Sequence, residues 1–152
     1  MNTLNLNSID KELTVEASQE TAFKVFTEKM DRWWPRTHHT GKTPMTELVL
    51  EPGVNGRWYS RHEDGSEANV GHVLTWNPYE LLVLNWQLGS NFQYNPDLVT
   101  EVEVQFIPAG PSTTKIKFTH KNLDRLGDDK TVERMGTGWD YIMQLYKNST
   151  ES

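Results

Sequence analysis

The 152 residues fit one domain, and a domain of that length buries about 68–70% of its unfolded surface, so the hydrophobic core needs no covalent staple. The chain contains no cysteine, which excludes disulfide bridges, zinc sites with thiolate ligands and cysteine nucleophiles. The formal net charge of −6 disfavours a general nucleic-acid binder, because such a protein needs a basic face to meet the phosphate backbone.

Neither a secretory leader nor a membrane span is apparent in the sequence. Residues 1–13 lack the basic and apolar regions of a signal peptide. No apolar run approaches the length that is needed to cross a bilayer. We therefore expect a cytoplasmic protein without a membrane anchor.

The first predicted elements are a strand and an amphipathic helix. Weak alternation of polar and apolar residues predicts a strand over residues 9–16. Ser18 is a candidate N-cap, and Glu20 places a negative charge in the first turn, where the helix dipole favours it. Apolar residues at helical spacing predict that this helix extends to about Asp31. A polar, irregular segment then follows Pro35.

Six strand-like runs come next, separated by turns rich in Gly, Pro, Asn and Asp. They are residues 46–50, 56–62, 68–76, 81–88, 100–107 and 113–120. Folding the last two about Gly110 places Glu103 opposite Lys117. The same register places Val104 opposite Ile116. One face of this hairpin then carries charge pairs and the other is apolar, as expected for a sheet with one buried face.

The hairpin in the middle of the chain depends on its turn. A tight two-residue turn would place Val73 opposite Leu84, with both side chains and Trp86 facing the interior. Gly71 would then make room for the indole of Trp86, and Trp76 would face away. A different turn would change which set of side chains lies inside.

A long helix over residues 129–147 ends the predicted order of elements. Its apolar stripe consists of Val132, Met135, Trp139, Ile142, Met143 and Tyr146. Gly136 and Gly138 interrupt it at about 1 kcal/mol each relative to alanine, which indicates that the sheet or a ligand approaches the backbone there. We predict one α+β domain over residues 1–152, with its core from about residue 6 to 147, in which a bent antiparallel sheet wraps the C-terminal helix.

Short motifs in a fixed order resemble those of a known family. They are Trp33-Trp34-Pro35, Glu51-Pro52, Gly56-Arg57-Trp58, Asp64-Gly65-Ser66-Glu67, Gly71-His72-Val73-Leu74 and Gly138-Trp139. Over roughly residues 6–146 they resemble the activator of heat-shock-protein-90 ATPase-like family of the START-like (SRPBCC, birch-pollen-allergen-like) superfamily. The resemblance implies a helix-grip fold, with one or two short N-terminal helices and a cavity between the sheet and the C-terminal helix.

Side chains from the sheet and the last helix would line such a cavity. The sequence holds six tryptophans, each of which is more simply explained as core when taken alone, but which as a set would stack on a flat ring. We predict as ligand-binding residues Trp58, Val73, Leu84, Trp86, Val102, Val104, Phe106, Ile116, Phe118, His120, Met135, Trp139 and Met143.

Polar residues at the expected mouth of the cavity are Arg36, His38 and His39. Guanidinium and imidazolium groups bind carboxylates, so this segment would receive an acidic ligand, although a solvated loop explains it equally well. His120 ends a strand on the inward side, where it would be a hydrogen-bonded rim residue or an acid–base group. The histidines lack zinc-ligand spacing, so we predict no metal and no cofactor.

Three functions remain open. The first is the binding of a small apolar or amphipathic molecule, and the second is contact with a chaperone. The third is a cyclase-like or dehydratase-like enzyme in which His120 or Glu67 shuttles a proton. No serine-hydrolase, P-loop or dinucleotide-binding motif occurs, so no catalytic residue is predicted.

Overall fold

The structure is a computed structural model that describes residues 8–38, 41–89, 93–126 and 129–151. Within these residues the helices are α1 (Gln19–Thr27), α2 (Met30–Trp33) and α3 (Asp129–Glu151), with a short 3₁₀ helix at Leu123–Leu126. The strands are β1 (Ile9–Val15), β2 (Met45–Leu50), β3 (Arg57–His62), β4 (Glu67–Asn77), β5 (Leu81–Trp86), β6 (Thr100–Gly110) and β7 (Thr113–Lys121).

All of these strands belong to one antiparallel sheet in the order β1-β7-β6-β5-β4-β3-β2. The strands from β2 to β7 follow one another as a meander, and β1 pairs with β7 from the other end of the chain. The sheet curls around α3. The short helices α1 and α2, which lie between β1 and β2 in the sequence, pack against α3. The predicted α+β helix-grip architecture is confirmed.

The N-terminal helix begins as predicted and ends earlier. The hydroxyl of Ser18 accepts a hydrogen bond from the backbone N–H of Thr21, at 3.2 Å. The chain leaves α1 at Glu28 and starts α2 at Met30, so the single predicted helix is two short ones. This break lets the indole N–H of Trp33 donate to a carbonyl of α1, that of Val25, at 2.9 Å.

The hairpin of β6 and β7 has the predicted faces but a different register. Glu103 lies opposite Thr119 rather than Lys117, and the other predicted pairs are displaced by the same two positions. A bulge between Pro108 and Gly110 accompanies the displacement. Because side chains alternate with a period of two, a shift of two leaves every residue on the predicted face.

The hairpin of β4 and β5 departs from the predicted alternation. Val73 lies opposite Leu84, as predicted, but the register shifts between Val73 and Thr75. One extra residue in β4 reverses the side-chain alternation beyond it. Trp76 therefore faces the interior, where its ring centroid lies 5.3 Å from that of Phe23, and the prediction that it faces away is wrong.

Gly71 accommodates a neighbouring backbone. A Cβ atom at this position would collide with the backbone carbonyl oxygen of Asn85 in β5. The side-chain oxygen of Asn85 also accepts a hydrogen bond from the backbone N–H of His72. The sequence analysis predicted that the indole of Trp86 occupies the space at Gly71. That prediction is wrong, because Asn85 occupies it.

Two glycine substitutions test this close approach. Gly71→Ala should lower the free energy of unfolding by about 1–3 kcal/mol, because the colliding atom belongs to the backbone and has no rotamer to change. Gly136→Ala is the matched control: a Cβ there meets nothing within 4 Å, and alanine should stabilise α3 by about 1 kcal/mol. Urea denaturation measures both. Equal midpoints for the two variants would contradict the described packing of β4 on β5.

Candidate functional site

A cavity of about 280 Å³ lies between α3 and the part of the sheet formed by β2 to β5. The sheet and the segment after β5 supply Leu48, Ser60, Val70, Trp86 and Leu88. Helix α3 supplies Arg134, Met135, Gly138, Trp139 and Ile142. The end of α2 and the following loop supply Trp34, Thr37 and His38.

The cavity brings together three of the predicted ligand-binding residues, namely Trp86, Met135 and Trp139, and His38 from the predicted mouth. The others are buried in the surrounding core: Trp58, Val73, Leu84, Val102, Val104, Phe106, Ile116, Phe118, His120 and Met143. Contact of this second set with a ligand remains a prediction.

Aromatic packing explains why the cavity lies towards β2–β5. On the other side of the interior, the ring centroids of Phe23 and Phe106 are 5.2 Å apart, as are those of Phe26 and Tyr146. The hydroxyl of Tyr146 donates to the carbonyl of Ala22 in α1, at 2.7 Å. These rings fill the space beneath α1, and the open volume therefore lies along the opposite side of α3.

Three indoles line one wall of the cavity, and a fourth packs behind them. The ring centroid of Trp139 lies 5.4 Å from that of Trp86 and 5.9 Å from that of Trp34. Trp58 packs behind them, with its centroid 5.7 Å from that of Trp86. Their interplanar angles are those of edge-to-face packing, which aromatic rings prefer.

The indole N–H groups of this wall differ in their partners. Trp34 donates to the carbonyl of His38 at 2.8 Å. Among the described residues, the buried indole nitrogens of Trp58 and Trp86 have no hydrogen-bond partner. A buried donor without an acceptor costs about 1–3 kcal/mol, so the wall favours an acceptor atom beside Trp86.

His120 is part of a closed hydrogen-bonded chain behind the wall. Its Nδ1 accepts from the indole N–H of Trp139 at 3.2 Å, and its Nε2 lies 2.8 Å from the hydroxyl oxygen of Thr100. That hydroxyl donates to the carbonyl of Trp86 at 2.9 Å. Because an indole can only donate, the network assigns the proton to Nε2. Burial lowers the pKa of His120 to about 3, so the ring is neutral near pH 7.

The predicted cationic loop has other partners. Arg36 makes two hydrogen bonds to the carboxylate of Asp31, of 2.5 and 3.2 Å, and its guanidinium lowers the pKa of that carboxyl. Asp31 also accepts from the backbone N–H of Leu48 at 2.8 Å, which ties the loop to β2. Partial desolvation lowers the pKa of His38 below its ordinary value, which disfavours a charge on its ring. His39 lies outside the described residues.

Arg134 is a cation of the cavity that the sequence analysis missed. Its guanidinium donates to the hydroxyl of Thr131 at 3.2 Å, and none of the described carboxylates pairs with it. A Cβ at Gly138, one turn further along α3, would meet nothing within 4 Å, so the sheet does not approach there, and the predicted approach of a ligand stays a prediction. That glycine leaves open space, and the four-residue spacing to Arg134 was the signal in the sequence.

Ser60 and His62 are a second pair of residues near the cavity that the sequence analysis did not identify. The hydroxyl oxygen of Ser60 lies 2.7 Å from Nε2 of His62, and Nδ1 of His62 lies 2.7 Å from the carbonyl of Thr43. Their alternate positions in β3 were the signal, because strict alternation places both on the buried face. Glu67, in contrast, is exposed and pairs with Arg57 at 2.9 Å, so it does not serve the cavity.

A curled sheet that grips a C-terminal helix over an internal cavity defines the helix-grip class. The chain belongs to the family described as "Activator of Hsp90 ATPase homolog 1-like protein", whose profile matches residues 16–147. No curated protein sequence matches the chain significantly. The described helices include none long and apolar enough to cross a membrane, and the described residues hold no cluster of three metal-binding side chains.

Several solved structures are similar over most of the chain. An anthrahydroquino-gamma-pyrone synthase, Txn09, complexed with SUM, is 30% identical, with a TM-score of 0.64 over 95% of this chain and 99% of that one. CalC, a self-sacrificing resistance protein from Micromonospora echinospora, is 31% identical, with a TM-score of 0.72 over 95% and 94%. An HSP90 activator from Plasmodium falciparum is 20% identical, with a TM-score of 0.63 over 88% and 87%, and shares the fold.

Nitrogen-detected NMR tests the state of His120. We expect the Nε2–H tautomer and a neutral ring down to about pH 5, well below the ordinary histidine pKa. Below the ordinary histidine pKa, His120 binds a proton in the unfolded chain but not in the folded chain. This residue therefore lowers the free energy of unfolding by about 1.4 kcal/mol for each pH unit below about 6.5. An imidazolium signal from His120 in the folded protein at about pH 5.5 would contradict the closed chain.

Proposed function

We propose that the protein binds a small, flat aromatic molecule in the cavity beside α3, with an acidic substituent at the mouth. The observation that carries this proposal is the wall of Trp34, Trp86 and Trp139, three indoles that line one cavity. Rings of this kind offer large apolar faces for stacking, together with a polar N–H group for orientation.

The volume of the cavity sets the size of the ligand. A cavity of about 150 Å³ lined by apolar side chains takes up benzene. The cavity described here has about 280 Å³, nearly twice that volume, and Arg134 in its lining is exposed to solvent. A ligand of two fused rings fits this space, and further substituents would extend through the mouth.

Two polar groups would orient that ligand. The indole N–H of Trp86 would donate to a ligand oxygen and so gain the acceptor that it lacks among the described residues. The guanidinium of Arg134 would meet a carboxylate or phenolate at the mouth. The 30% identical synthase is named for a product that combines an anthrahydroquinone with a pyrone, and this supports a fused-ring ligand.

Tryptophan fluorescence tests the proposal, because ligand rings against the indole wall should quench it. We expect saturable quenching by 2-naphthoate and by its uncharged analogue 2-naphthol. Arg134→Gln should weaken binding of 2-naphthoate by about two- to fivefold, as expected for an exposed ion pair, and should leave 2-naphthol unaffected.

The matched control is Arg32→Gln, which removes the same charge from an exposed residue of α2 outside the cavity lining. Absence of quenching by both compounds would overturn the proposed function. Equal affinities of the two arginine variants for 2-naphthoate would overturn the role of Arg134.

Contact with a chaperone is the alternative that family membership supports. Among the described residues, the large apolar side chains that are exposed are Val54, Tyr94 and Tyr141, which lie on three different segments. Single exposed side chains are ordinary surface features, whereas a docking face requires a contiguous patch. An Hsp90 ATPase assay separates the two functions: stimulation by this protein without any naphthoate binding would favour the chaperone.

A further inference from the structure

Ser60 and His62 place a paired hydroxyl and imidazole at the wall of the cavity. Both side chains are buried, with exposed fractions of 2% and 4%, and Ser60 belongs to the cavity lining. The hydroxyl oxygen and Nε2 are 2.7 Å apart. A buried hydroxyl that contacts both a ligand cavity and an imidazole has the geometry of a group that exchanges protons with a ligand.

The partners of the His62 ring determine which group donates in the hydrogen bond between Ser60 and His62. The carbonyl oxygen of Thr43, 2.7 Å from Nδ1, can only accept, so Nδ1 of a neutral His62 carries the proton. Nε2 then presents its lone pair, and the hydroxyl of Ser60 donates to it at 2.7 Å in preference to the carbonyl oxygen of Ala68, which lies 3.4 Å away. The oxygen of Ser60 keeps its own lone pairs for a donor in the cavity.

The imidazole is held in this orientation by its surroundings. The backbone of Gly41 packs against the ring so closely that a Cβ atom would collide with it. The contact with Thr43 anchors the opposite nitrogen, as the third member does in hydroxyl–imidazole pairs that activate an oxygen. A fixed ring keeps Nε2 directed at Ser60.

We propose that Ser60 and His62 form a proton relay that deprotonates an enolisable fused-ring ketone bound in the cavity, an inference that rests on the proposed function. The C–H proton next to the ketone passes to the oxygen of Ser60 while the hydroxyl proton of Ser60 passes to Nε2 of His62. The electron pair of the C–H bond forms the C=C bond of an enolate, whose charge resides on the former carbonyl oxygen.

The chain supplies partners for each charge that this step creates. Ser60 ends as a neutral hydroxyl and His62 as an imidazolium whose Nδ1–H remains bonded to the Thr43 carbonyl. The indole N–H of Trp86, in the same lining, is a donor for the enolate oxygen. Return of the proton reverses the step, so neither an oxidant nor a reductant is consumed.

Hydrogen–deuterium exchange of 2-tetralone, a two-ring ketone, measures the relay. In deuterium oxide, proton NMR should show loss of its exchangeable C–H signal at about 10²–10⁴ times the buffer rate. His62→Gln should lower kcat by about 10²–10⁴-fold and change KM by no more than about twofold, because an amide can still bond Ser60 and Thr43 but carries no proton. Ser60→Ala should lose the same activity.

Ser60→Thr retains the hydroxyl and should keep a measurable part of the rate, which a merely structural role for Ser60 does not predict. The matched control is His72→Gln, at a half-buried histidine of β4 outside the cavity lining, and it should exchange 2-tetralone at the wild-type rate. Circular dichroism establishes whether each variant is folded. If one relay variant does not fold, the exchange rates of the other relay variants test the proposal.

The outcomes separate the two proposals. Exchange at the buffer rate, with quenching of tryptophan fluorescence by bound 2-tetralone, overturns the relay and leaves the proposed function standing. A wild-type rate in folded His62→Gln also overturns the relay. Failure of 2-naphthoate and 2-naphthol to quench fluorescence overturns the proposed function, and the relay falls with it.

Discussion

The packing of Trp139 against the concave face of the sheet is the contact on which the rest of the structure depends. Its ring centroid lies 4.5 Å from that of Phe118 and 5.4 Å from that of Trp86, so one indole joins α3 to β5 and β7. A side chain this large holds the helix away from the sheet. The preceding residue, Gly138, has no side chain to fill the separation, and a cavity results.

Two buried histidines illustrate how the same side chain takes different roles. His120 sits in a chain that runs from an indole through the hydroxyl of Thr100 to a main-chain carbonyl, so each polar atom is satisfied within the protein. The hydroxyl beside His62 belongs to Ser60, which borders the cavity instead. A closed chain stabilises a core, whereas a chain that reaches a cavity can exchange a proton with what the cavity holds.

Charge at the cavity is set by pairing rather than by the number of cationic residues nearby. Arg36 is paired with Asp31, and partial desolvation lowers the pKa of His38. Arg134 is therefore the cation that the cavity lining presents, although it lies on α3 and far from the basic loop in sequence. A local cluster of positive residues is thus a poor guide to the charge that a ligand meets.

The sequence by itself determined the order of the elements, the family and the inward faces of β6 and β7. Alternation and helical spacing are local properties, so the faces of β6 and β7 survived a register error of two residues. Tertiary structure decided the orientation of Trp76, since one bulge reversed the alternation of β4. It also decided where the open volume lies and which side chains border it. Whether space between two layers is filled depends on side chains distant in sequence, and a pairing such as that of His62 with Thr43 exists only once the chain has folded.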